Sequence, residues 1–153
     1  MNAMERIRAV IDTNVVFEGL TYREGPAGTI VSAWMAELFQ SCVSQALAYE
    51  YRDVLARKLD PERWARIRLV LDALCEDVQE IERWLILPWT YRTQKAAFAR
   101  MRSELGSTSE EEVWKILEER EPAPPESDVG WTPELRQALE ERIAAARRSS
   151  DAS

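Results

Sequence analysis

Near the start of the chain, residues Ile7–Asn14 have the sequence IRAVIDTN, which is a strong indication of the fold class. Ile7–Ile11 has the apolar, β-branched bias of a buried strand. Asp12 follows directly, so the stretch predicts a strand that ends in an exposed carboxylate. Open α/β sheets place their ligand sites at this position, beyond the carboxyl ends of their strands. The stretch therefore predicts an α/β domain with a candidate site at Asp12.

Helix and strand patterns alternate in the residues that follow. Gly19–Gly28 contains glycines, a proline and charges, which predicts a loop that can include a helical turn. Thr29–Leu38 has apolar residues at four-residue spacing, which predicts an amphipathic helix. Phe39–Val43 predicts a short strand, and Ser44 is suited to be the N-cap of a helix that carries Glu50. Strand, helix, strand, helix is the typical opening of a parallel α/β fold.

The later part of the chain has a different character, with helices and a proline-rich segment. Its last helix has a narrow stripe formed by Leu135, Leu139 and Ile143, so we expect it to need a packing partner. The predicted organisation is an α/β domain at 1–105, a helix at 106–121, a Pro-rich linker at 122–131 and an amphipathic C-terminal helix at 132–148.

Composition narrows the classes of function. The 153 residues carry a net charge of −7 and no histidine, which removes histidine as a general base and every His-ligated zinc site. The acidic balance does not indicate a basic surface for nucleic acid. Cys42 and Cys75 form neither a CxxC motif nor a disulfide framework. The sequence has no apolar stretch of about 20 residues and no signal-peptide pattern, so we expect a cytoplasmic protein without membrane contact.

Asp12 and Glu50 are the candidate metal ligands. If Glu50 folds back beside Asp12, the two carboxylates suit a hard divalent cation, which prefers oxygen ligands. Asn14 can orient a carboxylate, and the Ser44 hydroxyl can reach a site at the strand end. Simpler interpretations remain open: Asp12 can cap the following turn, Glu50 can be a solvated helix acid paired with an arginine, and Ser44 can be only a helix cap.

A resemblance to a known family rests on these segments together: Ala9–Val16, Gly25–Gly28 with Trp34, and Cys42–Tyr51 with Val54 and Leu55. They resemble PIN-domain proteins, in the branch labelled as toxin components of toxin–antitoxin systems. The resemblance covers about residues 7–85.

The resemblance implies a PIN-like three-layer α/β/α fold with a short parallel sheet. It also implies cleavage of RNA by a ring of three or four acids that bind Mg²⁺ or Mn²⁺. Asp12 and Glu50 match the first two catalytic and metal-binding acids, while Asn14 and Ser44 match supporting polar positions. The partners implied are an RNA substrate, a cognate antitoxin and a second copy of the chain in a homodimer.

The second half departs from the family pattern, because no aspartate occurs between Asp77 and Asp128. The domain is therefore expected to have an incomplete second half and a helical C-terminal tail. One explanation is a truncated or frame-disrupted domain with an unrelated C-terminus. The other is that Glu104, Glu110 or Asp128 substitutes for the absent acids.

An incomplete acidic ring has a chemical consequence. Two carboxylates hold Mg²⁺ only loosely, because affinity rises with ligand charge. We therefore expect weak or absent nuclease activity for the chain alone. The competing hypothesis is a catalytically inactive PIN-like protein that acts through protein–protein interaction of its helical tail.

Overall fold

The computed structural model describes residues 7–76, 79–80, 109–125 and 130–152. Helices dominate these residues, and three short strands lie between them. In chain order the elements are β1 (Arg8–Ala9), α1 (Thr13–Thr21), α2 (Pro26–Met35), β2 (Gln40–Val43), α3 (Gln45–Lys58), α4 (Pro61–Glu76), β3 (Gln79–Glu80), α5 (Glu110–Glu118) and α6 (Pro133–Asp151).

The strands form a parallel sheet in the order β1–β2–β3. Arg8 pairs with Gln40, and Cys42 pairs with Gln79. This confirms the predicted α/β class with a short parallel sheet. The strand predicted over Ile7–Ile11 is shorter than expected, since only Arg8 and Ala9 belong to it. Because β1 and β2 are parallel, the residues that follow both strands lie at the same edge of the sheet.

The hydrophobic core lies between the sheet and α1 to α5. Trp34 and Trp114 are buried in this core, and the half-buried Trp64 packs against the same cluster. The largest fully buried side chains are Tyr51, Leu20, Leu55, Leu71, Leu117, Val16, Val31, Val70 and Val113.

The loop predicted over Gly19–Gly28 is wrong at both ends, because α1 continues to Thr21 and α2 begins at Pro26. Gly19 is buried inside α1 and faces α2 at close range. A Cβ atom at this position would lie 2.3 Å from Val31 Cγ2 and 2.4 Å from the carbonyl oxygen of Ala27. Gly19 therefore permits the two helices to approach each other, and the residue that looks like a helix breaker in the sequence is a packing residue.

Arg120, just after α5, ties the later part of the chain to α1 and α2. Its side chain is 9% exposed and donates hydrogen bonds to the carbonyl oxygens of Gly19, Gly28 (3.2 Å) and Leu117 (2.5 Å), and to Ser32 Oγ (2.7 Å). Gly19 and Leu117 lie in the last turns of α1 and α5, where carbonyl groups lack helical partners and the helix dipole favours a cation. Burial, and to a lesser degree the charge of Arg23, lowers the pKa of Arg120 to about 10. The side chain therefore stays charged at neutral pH and caps two helix ends at once.

The C-terminal helix α6 packs against α2 and lies beside α5. Ile143 is half-buried against the core, and the Arg147 guanidinium stacks 4.3 Å from the centre of the Trp114 ring. Arg147 also pairs with Glu118 at 2.5 Å. None of the described residues of α6 is fully buried. The helix therefore packs against α2, as its narrow apolar stripe led us to expect, but it lies on the surface of the domain.

The described helix bounds differ from the predicted ones at the C-terminal side. The helix predicted at 106–121 ends at Glu118, while 106–108 lie outside the described residues. The helix predicted at 132–148 extends to Asp151, with Thr132 as its N-cap. Part of the predicted linker, residues 126–129, also lies outside the described residues. No described helix has the length and apolar character needed to cross a membrane.

Candidate functional site

Asp12 lies just beyond β1 and is the N-cap of α1. Its Oδ2 accepts a hydrogen bond of 3.0 Å from the backbone N–H of Asn14, and the residue is exposed. Asp12 therefore caps α1 through one of its two carboxylate oxygens, Oδ2. The bond from Asn14 comes from its backbone, while its side chain is at the surface.

Glu50 lies on α3 and meets the residue that follows Asp12. Its Oε1 accepts a hydrogen bond of 2.7 Å from Thr13 Oγ1, across 37 positions of sequence. Thr13 is buried whereas Glu50 is exposed. Within the described part of the chain, Glu50 has no arginine partner. The fold thus brings Glu50 to the junction between β1 and α1.

Tyr51 makes a second link between α3 and this junction. It is fully buried, and its hydroxyl donates a hydrogen bond to the backbone carbonyl of Ile11. Burial raises the pKa of the Tyr51 hydroxyl above its usual value of 10, and the nearby Cys75, Asp12 and Glu50 raise it further. Tyr51, next to Glu50 in the sequence, therefore holds α3 at the residue that precedes Asp12.

The raised pKa of Tyr51 predicts a loss of stability at alkaline pH. Below pH 10 the hydroxyl is neutral in the folded and unfolded states. Above pH 10 only the unfolded state releases the proton, so the free energy of unfolding should fall by about 1 kcal/mol between pH 10 and pH 11. Tyr51→Phe removes this contribution and should flatten that part of the profile, measured by urea denaturation at several pH values.

The same substitution should lower the free energy of unfolding at pH 7 by about 1–2 kcal/mol, since it leaves the buried Ile11 carbonyl without its donor. Tyr22→Phe is a matched control at a half-buried tyrosine, and it should keep the alkaline fall. An equal fall in wild-type protein and Tyr51→Phe would contradict the assignment to Tyr51.

Ser44 follows β2 at the same edge of the sheet and is the N-cap of α3. Its Oγ accepts a hydrogen bond of 3.1 Å from the backbone N–H of Leu47. The helix-cap interpretation of Ser44 is therefore confirmed. Its placement beyond β2 puts the α3 N-terminus beside the junction that carries Asp12.

The structure does not bring Glu110 to this edge of the sheet. Glu110 begins α5, accepts a hydrogen bond of 3.3 Å from Trp114 Nε1, and lines a cavity with Gln40 and Ser41 at the start of β2. Glu104 and Asp128 lie outside the described residues. Across residues 7–76, 79–80, 109–125 and 130–152, no group of three or more His, Cys, Asp or Glu side chains could hold a metal ion.

The donor chemistry of the two acids suits a hard divalent cation. Asp12 uses Oδ2 and Glu50 uses Oε1 in hydrogen bonds to the protein, and within the described part of the chain Oδ1 and Oε2 have no partner. Neither carboxylate has a basic side chain as partner among the described residues. Two unneutralised carboxylate oxygens fit Mg²⁺ or Mn²⁺, with water filling the other coordination positions. The pair alone is a low-affinity site, because its ligand charge is small.

The sequence prediction missed Thr13 and Tyr51 as parts of this site. Both lie directly beside a predicted acid in the sequence, and both carry a hydroxyl group. This adjacency is the local sequence feature that could have identified them. Their hydrogen-bond partners are distant along the chain, because Thr13 bonds to Glu50 and Tyr51 bonds to Ile11.

A family model described as the PIN domain matches residues 8–116 of the chain. The match continues past residue 85, where the sequence resemblance ended, and takes in most of α5. No curated protein and no solved structure matches the chain.

Proposed function

Since the chain belongs to the PIN domain family, we propose that it is a metal-dependent ribonuclease of the toxin type that uses Asp12 and Glu50 as its catalytic carboxylates. PIN domains are generally nucleases and typically depend on divalent metal. The observation that carries the proposal is the hydrogen bond from Thr13 Oγ1 to Glu50 Oε1, 2.7 Å long. It joins the second predicted acid to the residue that follows the first.

The free oxygens, Asp12 Oδ1 and Glu50 Oε2, would hold Mg²⁺ or Mn²⁺. When bound, such an ion lowers the pKa of a water molecule and stabilises negative charge on a phosphodiester. The chain has no histidine, so no imidazole can accept the proton of the attacking water. Asp12 and Glu50 would act as ligands of the ion, since the other oxygen of each acid is held by the protein.

The activity is expected to be slow, because the described residues supply two acids in place of a ring of three or four. The test is incubation of the purified full chain with a labelled single-stranded RNA of mixed sequence, in Mn²⁺, in Mg²⁺ and in EDTA. Cleavage that needs Mn²⁺ or Mg²⁺ and stops in EDTA supports the proposal. Absence of cleavage, or cleavage unaffected by EDTA, contradicts it.

The biological role that we propose is that of a cytoplasmic toxin that cleaves RNA and is neutralised by a cognate antitoxin. A homodimer is part of the same proposal. Support comes from the similarity of Ala9–Val16 and Cys42–Tyr51 to the toxin branch of the family. Growth arrest on expression, relieved by substitution of Asp12, is the corresponding cellular test.

The surface position of α6 favours a second candidate function, an inactive PIN-like protein that binds a partner through this helix. No described residue of α6 is fully buried, and Leu135 is 47% exposed. Both observations leave an apolar part of the helix available for contact with another chain.

Truncation after Glu121 separates α6 from the rest of the domain. The shortened chain should stay folded and lose about 1–2 kcal/mol of unfolding free energy, because the half-buried Ile143 is the main apolar contact that it loses. Circular dichroism and urea denaturation measure the fold, and sedimentation velocity measures association.

Leu135→Gln in the full chain is the control, because it removes the exposed apolar side chain and keeps the helix. If α6 binds a partner through Leu135, truncation and Leu135→Gln should change association alike. Unfolding of the truncated chain would instead place α6 in the core.

A further inference from the structure

We propose that Thr13 is the positioning residue of the acidic pair: its hydroxyl holds one oxygen of Glu50 at the junction that follows Asp12 and leaves the other oxygen for a divalent cation that Asp12 would share. This inference rests on the proposed function only in that the pair binds such a cation. In this role Thr13 acts through Glu50, the acceptor of its hydroxyl hydrogen bond.

The burial of Thr13 makes it a fixed donor. The residue is 7% exposed, lies in the first turn of α1 and is β-branched, so its side chain has few accessible rotamers. Its hydroxyl makes a hydrogen bond of 2.7 Å to Glu50 Oε1. A buried hydroxyl that lost this acceptor would lack a partner, so the bond is favourable for both groups.

Glu50 needs such a donor more than Asp12 does. A glutamate side chain is long and, on an exposed helix face, samples many rotamers, which weakens any site that depends on it. Asp12 is short and already fixed through Oδ2 by the backbone N–H of Asn14. Thr13 gives Glu50 the equivalent restraint, so each acid has one oxygen fixed by the protein and one oxygen free.

Tyr51 fixes the backbone on which this arrangement depends. Its hydroxyl bond to the Ile11 carbonyl holds α3 against the junction one residue before Asp12. With the backbone held by Tyr51, the Thr13 hydroxyl determines where the Glu50 carboxylate lies. Removal of the hydroxyl should therefore change cation affinity more than it changes the fold.

The chain offers a matched control for Thr13. Thr21 lies in the same helix, is 3% exposed, and donates a hydrogen bond of 2.7 Å to the Phe17 carbonyl. Thr21→Val and Thr13→Val therefore remove one hydroxyl each from a buried position of α1. Only the second removes the donor of Glu50.

The experiment measures the Mn²⁺ affinity of the purified full chain without RNA, by calorimetry and by electron paramagnetic resonance. Thr13→Val should raise the Mn²⁺ Kd by about tenfold, as losses of residues that orient metal ligands typically do. Thr13→Ser keeps the hydroxyl and should restore affinity to within about twofold of wild type, and Thr21→Val should bind like wild type. Equal affinity of Thr13→Val and wild type, or no Mn²⁺ binding by wild type, overturns the proposal.

A second measurement needs no metal. In a double-mutant cycle of Thr13→Val and Glu50→Gln, the changes in unfolding free energy should not add, because the two side chains share one bond. Additive changes would overturn the proposal, and Thr13→Ala replaces Thr13→Val in both measurements if the valine variant does not fold. Failure of the RNA assay together with Thr13-dependent Mn²⁺ binding would reject the nuclease and retain the positioning role.

Discussion

Replacement of Asp12 by asparagine is expected to lower metal-dependent RNA cleavage by about 100-fold while the protein stays folded. Loss of a residue that orients a ligand typically costs 10–100-fold in metal affinity or activity, so loss of a ligand charge should reach about the upper end. The fold is expected to survive because asparagine caps helices about as well as aspartate does. The side-chain oxygen of the introduced asparagine would still accept the hydrogen bond that Asp12 now accepts from the backbone of Asn14.

Asp60→Asn is the matched control for this prediction. Asp60 is also an exposed aspartate beside a helix N-terminus, and its Oδ1 accepts a hydrogen bond of 2.9 Å from the backbone N–H of Arg63 at the start of α4. This variant should cleave RNA like wild type. In the growth assay, Asp12→Asn should relieve the arrest and Asp60→Asn should not. Full activity of Asp12→Asn would show that the site lies elsewhere, whereas equal losses in both variants would indicate a loss of stability.

Replacement of Arg120 by methionine is expected to lower the free energy of unfolding by about 3 kcal/mol, as removal of a buried, hydrogen-bonded charge typically does. Methionine keeps much of the apolar stem, so the loss comes mainly from the guanidinium. Its removal leaves the Gly19 and Leu117 carbonyls and Ser32 Oγ without the donor that they now share. For a chain of this size the melting temperature should fall by roughly 10 °C.

Arg66→Met is the control for the same chemical change at the surface. Arg66 pairs with Glu119, and both side chains are about half exposed, so this variant should lose less than about 1 kcal/mol. Urea denaturation and thermal scans of the two variants check the difference. Similar losses would mean that the bonds of Arg120 add nothing to stability beyond those of an exposed ion pair.

The local sequence pattern predicted the N-cap of α3 correctly. Ser44 accepts a hydrogen bond from the backbone N–H of the third residue that follows, and Ser109 and Thr132 do the same for α5 and α6. Glu110, Glu111 and Glu112 lie in the first turn of α5, where acids complement the helix dipole. Capping and first-turn charge depend only on residues that are close in the sequence, so a local sequence pattern can predict them.

Gly19 shows where the local pattern failed. Glycine disfavours helices, so the segment around it predicted a loop. The structure keeps the helix because α1 and α2 approach at Gly19, where a side chain would contact Val31 and Ala27. The packing of the two helices outweighs the low helix propensity, and that packing depends on residues that the local pattern does not include.

Local sequence patterns predict the carboxylate of Asp12 after a strand, the alternation of an α/β domain, and the acid on α3. The hydrogen bonds from Thr13 to Glu50, 37 positions apart, and from Arg120 to Gly19, 101 positions apart, come from the tertiary structure. Periodicity and capping are set by residues within about one helical turn, whereas these bonds form only after helices have packed. The residue types of the candidate site can therefore be read from the sequence, whereas their relative positions depend on the fold.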